Sequence, residues 1–134
     1  MSITLREDQI ASLPIHDADF LRFSIAETKD GVASAELDVS GLDHSYDPGY
    51  KCPERNGITR ILFESCVSLA GQFWAASTNG DSIDRLDVVG VSEFSDKMKA
   101  LAARLETKTI ALRLVLHSGS VFEILAERVV LTTP

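Results

Sequence analysis

Two short clusters of histidine and aspartate are the first places in the sequence where side chains could do chemistry. One cluster joins His16 to Asp17 and Asp19, and the other, at residues 43–47, places His44 between two aspartates. Imidazole nitrogens and carboxylate oxygens are both metal ligands, so either cluster could hold an ion. Neither has a second histidine at ligand spacing, and aspartate is common in turns and caps. We therefore expect turn and cap residues here and predict no metal site.

The other reactive side chains form no catalytic motif. Cys52 and Cys66 are isolated, without the spacing of zinc ligands, and Cys66 is expected to be a core thiol. His117 falls in a predicted turn, where we expect it to be solvated. The chain has no Gly-x-Ser-x-Gly segment, which marks one large class of serine hydrolases. These residues alone define no enzyme class.

Composition and charge limit the partners of the chain. Its 134 residues, 45% hydrophobic and 25% charged, suffice for one compact domain and are too few for two. The net charge of −7 arises within residues 1–50, and no lysine and arginine cluster offers the basic face that nucleic acid requires. The N-terminus carries charges where a signal peptide is apolar. We expect a single cytoplasmic domain over residues 1–134, with no nucleic-acid or membrane partner.

Hydrophobic periodicity predicts several antiparallel strands. Hydrophobic residues alternate over 21–25 and 33–39 on either side of a Lys-Asp-Gly turn, which indicates a β-hairpin. Strict alternation over 110–116, then a Ser-Gly turn and a hydrophobic segment over 121–131, indicates a second hairpin. The valine-rich segment 86–94 predicts a further strand.

A short helix and a long loop are also expected in the N-terminal half. Thr4 and Glu7 have capping-box spacing, which predicts a helix that ends before Pro14. From Gly41 to Gly57 the sequence loses its periodicity and collects both tyrosines. Long loops in compact domains are usually functional, so this segment is a candidate part of the site.

A second and longer helix is predicted over about residues 59–77. Thr59 can cap its start, and an Asn-Gly pair ends it. Glu64 and Ser68 lie on a narrow polar strip, because the apolar residues occupy most of the circumference. Five of those apolar residues recur at helical spacing: Leu62, Cys66, Leu69, Ala70 and Phe73. Such a helix is expected to be surrounded by protein.

The order of hairpin, long loop, buried helix and about four strands resembles the hot-dog fold, and one segment carries the resemblance further. Residues 55–64 read Arg-Asn-Gly-Ile-Thr-Arg-Ile-Leu-Phe-Glu. This is similar to the motif of the phenylacetate-pathway and 4-hydroxybenzoyl-CoA thioesterases: His-Gly-Gly, six residues, then Asp or Glu. Gly57 stands at the second glycine and Glu64 at the carboxylate. Arg55 and Asn56 stand where the motif has histidine and its first glycine.

The resemblance implies an α+β hot-dog domain: an antiparallel sheet of about six strands wrapped around one long central helix, with a short N-terminal helix. The hydrophobic residues of segment 98–106 fit both a helix and a strand, and the resemblance implies a strand. It further implies a homodimer or tetramer with sites where subunits meet.

The activity implied by the resemblance is hydrolysis of an acyl-CoA thioester. Glu64 would act as base or nucleophile, and Ser68 would orient it or the attacking water. The backbone N–H groups of Gly57 and Ile58, at the positive end of the helix, would polarise the carbonyl. Coenzyme A would be part of the substrate, and no cofactor is expected. The residues expected to contact substrate are Asp47, Gly49, Arg55, Asn56, Arg60 and Ser65.

Alternative interpretations stay open at this point. Glu64 can instead form an exposed helical ion pair with Arg60, four positions earlier. The missing motif histidine also fits a non-catalytic hot-dog module that binds an acyl group or a protein partner. A dehydratase of hydroxyacyl thioesters is disfavoured, because those relatives pair histidine with aspartate at the site.

Overall fold

The architecture is given by a computed structural model, which describes residues 2–27, 33–42, 52–65, 68–72, 81–90, 96, 99–100, 103 and 108–134. Within these residues nine strands and one five-residue helix have defined bounds, and residues 96, 99–100 and 103 are also helical. In chain order they are β1 (Ile3–Leu5), α1 (Glu7–Ala11), β2 (Asp19–Glu27), β3 (Ala33–Ser40), β4 (Ile58–Glu64), β5 (Ser68–Gln72), β6 (Ile83–Val88), β7 (Ile110–Leu116), β8 (Val121–Ala126) and β9 (Arg128–Thr132).

The strands form two antiparallel sheets, and two segments of the chain run from one sheet into the other. The five-stranded sheet has the order β1-β9-β4-β3-β2, and the four-stranded sheet has the order β5-β8-β7-β6. The segment β4–β5 pairs with β8–β9 in both sheets, so this antiparallel pair bends from one sheet into the other. At the bend Ser65 has a left-handed φ of 51°, and the Glu127 N–H donates to the Glu64 carbonyl at 3.1 Å.

The inner faces of the two sheets enclose one hydrophobic core. In β4 every second side chain, namely Thr59, Ile61 and Phe63, is buried. This is the period of two that a strand with one covered face requires. The core takes fully buried residues from both sheets, among them Leu37, Val39, Ile61, Phe63, Leu112, Leu114, Ile124 and Leu131.

The two sheets also meet where β2 and β6 begin, and we call this junction, residues 17–20 with 81–83, the seam. The Phe20 N–H donates to the Asp81 carbonyl at 2.9 Å, and the Ile83 N–H donates to the Ala18 carbonyl at 2.9 Å. Directly after Phe20 the pairing of β2 with β3 shifts by one residue. The seam therefore brings the connection before β2 against the first residues of β6.

The predicted hot-dog fold is wrong, because the segment expected to form its central helix over about residues 59–77 contains two strands. No helix among the described residues reaches seven residues. Ile58–Glu64 pairs with β3 on one side and β9 on the other. The hydrophobic residues have helical spacing, but the backbone at Ser65 is left-handed. An α-helix cannot continue through such a residue. Residues 66–67 and 73–77 of the expected helix lie outside the described residues.

The locally encoded hairpins are confirmed. β2 pairs with β3, and β7 pairs with β8, both antiparallel. The segment 121–131, expected as one strand, is divided into β8 and β9 at the bend. β6 confirms a strand in the first part of segment 86–94, whereas residues 91–94 lie outside the described residues.

The short N-terminal helix is confirmed, with a different start. α1 begins after Arg6, and its capping box uses Gln9, whose side-chain oxygen accepts the Arg6 N–H at 2.9 Å. Thr4, the expected cap, lies in β1. In segment 98–106 the described residues, Lys99, Ala100 and Ala103, have helical rather than extended backbone.

Candidate metal centre

Of the residues expected to form a thioesterase site, those that the structure describes do not come together. Gly57 and Ile58 lie at one end of β4 and Glu64 at the other, and a strand of this length spans roughly 20 Å. The Ile58 N–H, expected to polarise a carbonyl, donates to the Arg55 carbonyl at 3.0 Å. Because residue 58 begins a strand and not a helix, no helix N-terminus supplies donors here.

Arg55, Asn56, Gly57 and Ile58 instead form a tight turn. The Arg55 N–H donates to the Ile58 carbonyl at 2.9 Å. Asn56 and Gly57 both have positive φ, 55° and 77°, as a type I′ hairpin turn requires. An Asn-Gly pair is the strongest short-range signal for such a turn, so the sequence did contain the evidence for it.

Two charged residues of the expected site, Arg60 and Glu64, form ion pairs on the outer face of the five-stranded sheet. Glu64 Oε2 accepts a hydrogen bond from Arg128 Nε at 2.9 Å, and the two residues are direct partners of β4 and β9. Arg60 donates from two nitrogens to Asp38, at 2.8 and 3.0 Å, so the expected Arg60–Glu64 pair is replaced. Ser65 is the half-buried residue at the bend.

Three further residues of the expected site lie outside the described part of the chain, either entirely or in their side chains. Asp47 and Gly49 lie outside the described residues, and Ser68 begins β5, with its side chain outside the described part. The predicted thioester site is therefore not assembled by the residues that the structure describes.

A different group of polar side chains comes together at the seam. His16 and Asp17 precede β2, Asp84 lies in β6, and His117 begins the turn between β7 and β8. Ligand atoms of His16, Asp84 and His117 all lie within 4.8 Å of one another, and the two imidazole rings are 5.6 Å apart. We call these four residues the His–Asp cluster.

Backbone hydrogen bonds of the seam position the His–Asp cluster. The Asp17 N–H donates to the Ile83 carbonyl at 2.8 Å, and the His117 N–H donates to the Ser82 carbonyl at 2.9 Å. Asp84 follows Ile83 at an irregularity in the pairing of β6 with β7. Such irregularities redirect a side chain relative to its strand. Each member is thus held by backbone that also joins the two sheets.

A buried aspartate fixes the turn that carries His117. Asp81 accepts hydrogen bonds from the backbone N–H of Ser82 at 2.9 Å, from the Ser118 hydroxyl at 2.7 Å and from the Ser118 N–H at 3.3 Å. Its side chain is withdrawn from water, where such bonds are stronger than at the surface. Asp81 therefore connects the seam to the residue next to His117.

The main chain also orients the His16 ring. His16 Nδ1 lies 2.6 Å from the Asp84 carbonyl oxygen. A carbonyl only accepts, so Nδ1 carries the proton and donates. This hydrogen bond, together with the nearby Asp17 carboxylate, raises the pKa of His16 above its ordinary value. In the neutral ring, Nε2 keeps its lone pair, which is the arrangement that binds metal ions.

An arginine orients the Asp84 carboxylate. Arg85 Nη1 donates to Asp84 Oδ2 at 2.8 Å, and Arg85 Nε donates to Asp87 at 2.8 Å. The other oxygen, Asp84 Oδ1, faces His16 and lies 3.9 Å from Nδ1. A carboxylate held through one oxygen in this way presents the other to an ion, as outer partners do in metal sites.

The chemistry available to the His–Asp cluster is that of a cation site. Asp17 and Asp84 contribute two negative charges, of which Arg85 partly balances that of Asp84, and the two imidazoles become positive only on protonation. The side chains of His16 and Asp17 are 65% and 70% exposed, so ions and protons reach them from solvent. Two imidazoles and carboxylate oxygen form a mixed nitrogen and oxygen donor set, which suits zinc and similar ions.

Sequence reasoning considered His16 and His117 separately and missed their proximity. Asp17 and His117 are 100 positions apart, so no local spacing connects them. Only the pairing of β2 with β6 brings them together, and that pairing consists of a few bonds at the strand starts. No local signal in the sequence could have shown this site.

Comparison with known proteins adds no identification. No family model matches the chain, and neither a curated protein nor a solved structure matches it at a significant level. The resemblance to hot-dog thioesterases thus has no support from these comparisons. Among the described residues, no helix is both long and apolar enough to cross a membrane.

Proposed function

We propose that the chain binds a divalent transition-metal ion of the zinc type in the His–Asp cluster, through His16, Asp84 and His117. The observation that carries this proposal is the convergence of their ligand atoms within 4.8 Å. Tetrahedral Zn²⁺ with bonds of about 2.0–2.1 Å holds its ligand atoms roughly 3.4 Å apart. The two imidazoles are at least two-fifths exposed, so small side-chain rotations can close the difference.

The donor set favours Zn²⁺ over the hard cations. Mg²⁺ and Ca²⁺ take mainly oxygen ligands, whereas two neutral imidazoles suit zinc, copper or nickel. The His16 hydrogen bond to the Asp84 carbonyl and the Arg85 contact to Asp84 support the proposal, since both orient a ligand before an ion arrives. Preorganised ligands bind with less loss of entropy.

Calorimetric titration of the metal-free chain with Zn²⁺ tests this function. We expect one ion per chain in the wild type, and a loss of affinity of more than about tenfold in His117→Gln and in Asp84→Asn. His44→Gln is the matched control, because His44 is not one of the three proposed ligands. Wild-type binding that both cluster variants retain, and that His44→Gln removes, would contradict the proposal.

Zinc binding is expected to be lost as the solution is acidified. Protons compete with the ion for the imidazole nitrogens, and the raised pKa of His16 moves that competition to higher pH. Affinity measured at pH 6 should be lower than at pH 8. Equal affinities at the two values would show that the histidines are not ligands.

Acyl-CoA hydrolysis and the binding of an acyl group or protein partner stay predictions from the sequence. The former depended on a helix start at residues 57–59, where the chain forms a turn and a strand. Release of free thiol from short, medium and aromatic acyl-CoAs, compared between the wild type and Glu64→Gln, tests it directly. Turnover that falls at least about 100-fold in the variant, the size expected for a lost acid–base group, would restore that function.

A further inference from the structure

Asp17 lies between the two histidines of the His–Asp cluster. Its Oδ1 is 2.9 Å from His117 Nε2, and its Oδ2 is 3.5 Å from His16 Nε2. The same carboxylate thus faces the Nε2 atoms of both rings. The first separation is that of a hydrogen bond, which His117 Nε2 donates to the carboxylate and which a metal ion would replace. The second, to the other carboxylate oxygen, is close to the spacing of roughly 3.4 Å between neighbouring ligands of one tetrahedral ion.

The hydrogen bond at His16 selects the nitrogen that faces Asp17. Because Nδ1 donates to the Asp84 carbonyl, the lone pair of the neutral ring is on Nε2. That is the atom 3.5 Å from Asp17 Oδ2. The lone pair of His16 is therefore directed to the side where the Asp17 carboxylate lies.

The backbone of Asp17 supports a positional role for this residue. Its φ is 65°, in the left-handed region that non-glycine residues seldom occupy. Its N–H is also fixed by the Ile83 carbonyl at 2.8 Å. Aspartate is among the few non-glycine residues that adopt this conformation, and here its surroundings hold it in place.

We propose that Asp17 is the fourth ligand of the metal ion, in a closed set of two imidazoles and two carboxylates. This inference rests on the proposed function. A structural zinc site uses four protein ligands, whereas a catalytic one keeps a position for water or substrate. With Asp17 in place the ion joins the connection before β2 to β6 and to the turn after β7. The ion then links the two sheets at the seam, with no coordination position left for a substrate.

Cobalt substitution combined with variants at residue 17 tests this inference. Four-coordinate tetrahedral Co²⁺ absorbs far more strongly in the visible than the higher-coordinate ion, so the spectrum reports the ligand number. Asp17→Asn removes the anionic ligand, while asparagine keeps its tolerance of left-handed backbone. Asp19→Asn is the matched control, since it removes the same charge two residues away.

We expect tetrahedral Co²⁺ absorption in the wild type and in Asp19→Asn. Asp17→Asn should lose that absorption, and its Zn²⁺ affinity should fall by more than about tenfold, the least that a change in a metal site's outer shell often costs. Retained affinity and spectrum in Asp17→Asn would overturn the inference and leave metal binding intact. An equal loss in both variants would also overturn it, because charge alone would then be responsible.

The wild type alone gives two further outcomes. A wild-type Co²⁺ spectrum of higher coordination would overturn the inference, because the site would then be open. Absence of metal binding by the wild type would instead remove the proposed function.

Discussion

Two regions of this molecule bring carboxylates together, and they differ in what balances the charge. On the outer face of the five-stranded sheet, Asp38 faces Arg60 and Glu64 faces Arg128, each across one strand pair. Arginine stays charged at every accessible pH. In the His–Asp cluster the Asp17 carboxylate faces two imidazoles, whose charge depends on pH, while the other carboxylate is also paired with an arginine. The arginines of the first region balance its charge at every pH, whereas the charge of Asp17 is balanced when an imidazole is protonated or, in the proposed function, when a metal ion binds.

The largest expected effect comes from breaking the more buried arginine pair. Arg60→Leu leaves Asp38, whose side chain is 12% exposed, without its two-nitrogen partner. An uncompensated carboxylate this far from water is costly, so we expect the free energy of unfolding to fall by about 3 kcal/mol. Urea denaturation measures it.

The double variant Arg60→Leu/Asp38→Leu separates lost pairing from lost packing. With both charges removed, much of the stability should return, because hydrophobic pairs often replace buried ion pairs without loss. A double variant less stable than Arg60→Leu alone would show that the unpaired charge was not the cause.

Asp81 provides the next largest effect and joins stability to metal binding. Asp81→Ala removes the acceptor of three hydrogen bonds from the half-buried donors of Ser82 and Ser118, which costs about 1–3 kcal/mol. It should also weaken Zn²⁺ binding, because the turn that carries His117 loses its support. Asp81→Asn, which keeps an acceptor oxygen, should lose less of both. Unchanged zinc affinity in Asp81→Ala would show that the hydrogen bonds of Asp81 do not support the His–Asp cluster.

The protonation of His16 gives a smaller effect, which appears only in the metal-free chain. The pKa of His16 is raised in the fold by the Asp84 carbonyl and the Asp17 charge, with Asp84 and the His117 ring also facing it. A raised folded-state pKa stabilises the fold fully below the unfolded pKa of about 6.5, and the contribution disappears as pH rises through the folded value.

Comparison of the wild type with His16→Gln in the presence of a chelator measures this contribution. The wild type should be the more stable below about pH 6, and the difference should narrow as the solution becomes alkaline. NMR titration should place the His16 pKa above that of a model histidine. A stability difference that grows with pH would contradict the assignment.

The exposed pair of Glu64 and Arg128 should give the smallest effect. The side chains are 37% and 55% exposed, and water screens such pairs strongly. Glu64→Gln should leave the denaturation midpoint nearly unchanged. A loss of unfolding free energy as large as that in Arg60→Leu would contradict the expectation that the exposed pair contributes less to stability than the buried pair.

The parts of the fold that could be predicted are those whose partners are close in sequence. The β2–β3 and β7–β8 hairpins follow from alternation on either side of a short turn, and both formed. β4 could not be predicted in the same way, because its partners β3 and β9 include the last strand of the described chain. Its hydrophobic residues also fit a helix when they are taken together with those that follow, and the left-handed backbone at Ser65 interrupts that helical period.

The candidate site was unpredictable for a related reason. His16, Asp84 and His117 belong to three separate segments, which only the seam brings together. Gly57 and Glu64 are seven positions apart, which is about two turns of a helix. On a strand the same spacing places the two residues at opposite ends. The Asn56-Gly57 pair already indicates a hairpin turn in the sequence, and a hairpin turn is followed by a strand rather than by a helix.

The place of β9 has a consequence for the order in which the chain folds. β9 is the last strand in sequence, yet it lies between β1 and β4, where Leu131 faces both Ile3 and Ile61. During synthesis the five-stranded sheet therefore lacks an inner strand until residues 128–132 have left the ribosome. Pairings between such distant segments close slowly, on the scale of milliseconds to seconds. Before β9 pairs, β4 is therefore a temporary sheet edge and β1 is not yet joined to the sheet. In that interval a nascent chain is most exposed to pairing with another copy.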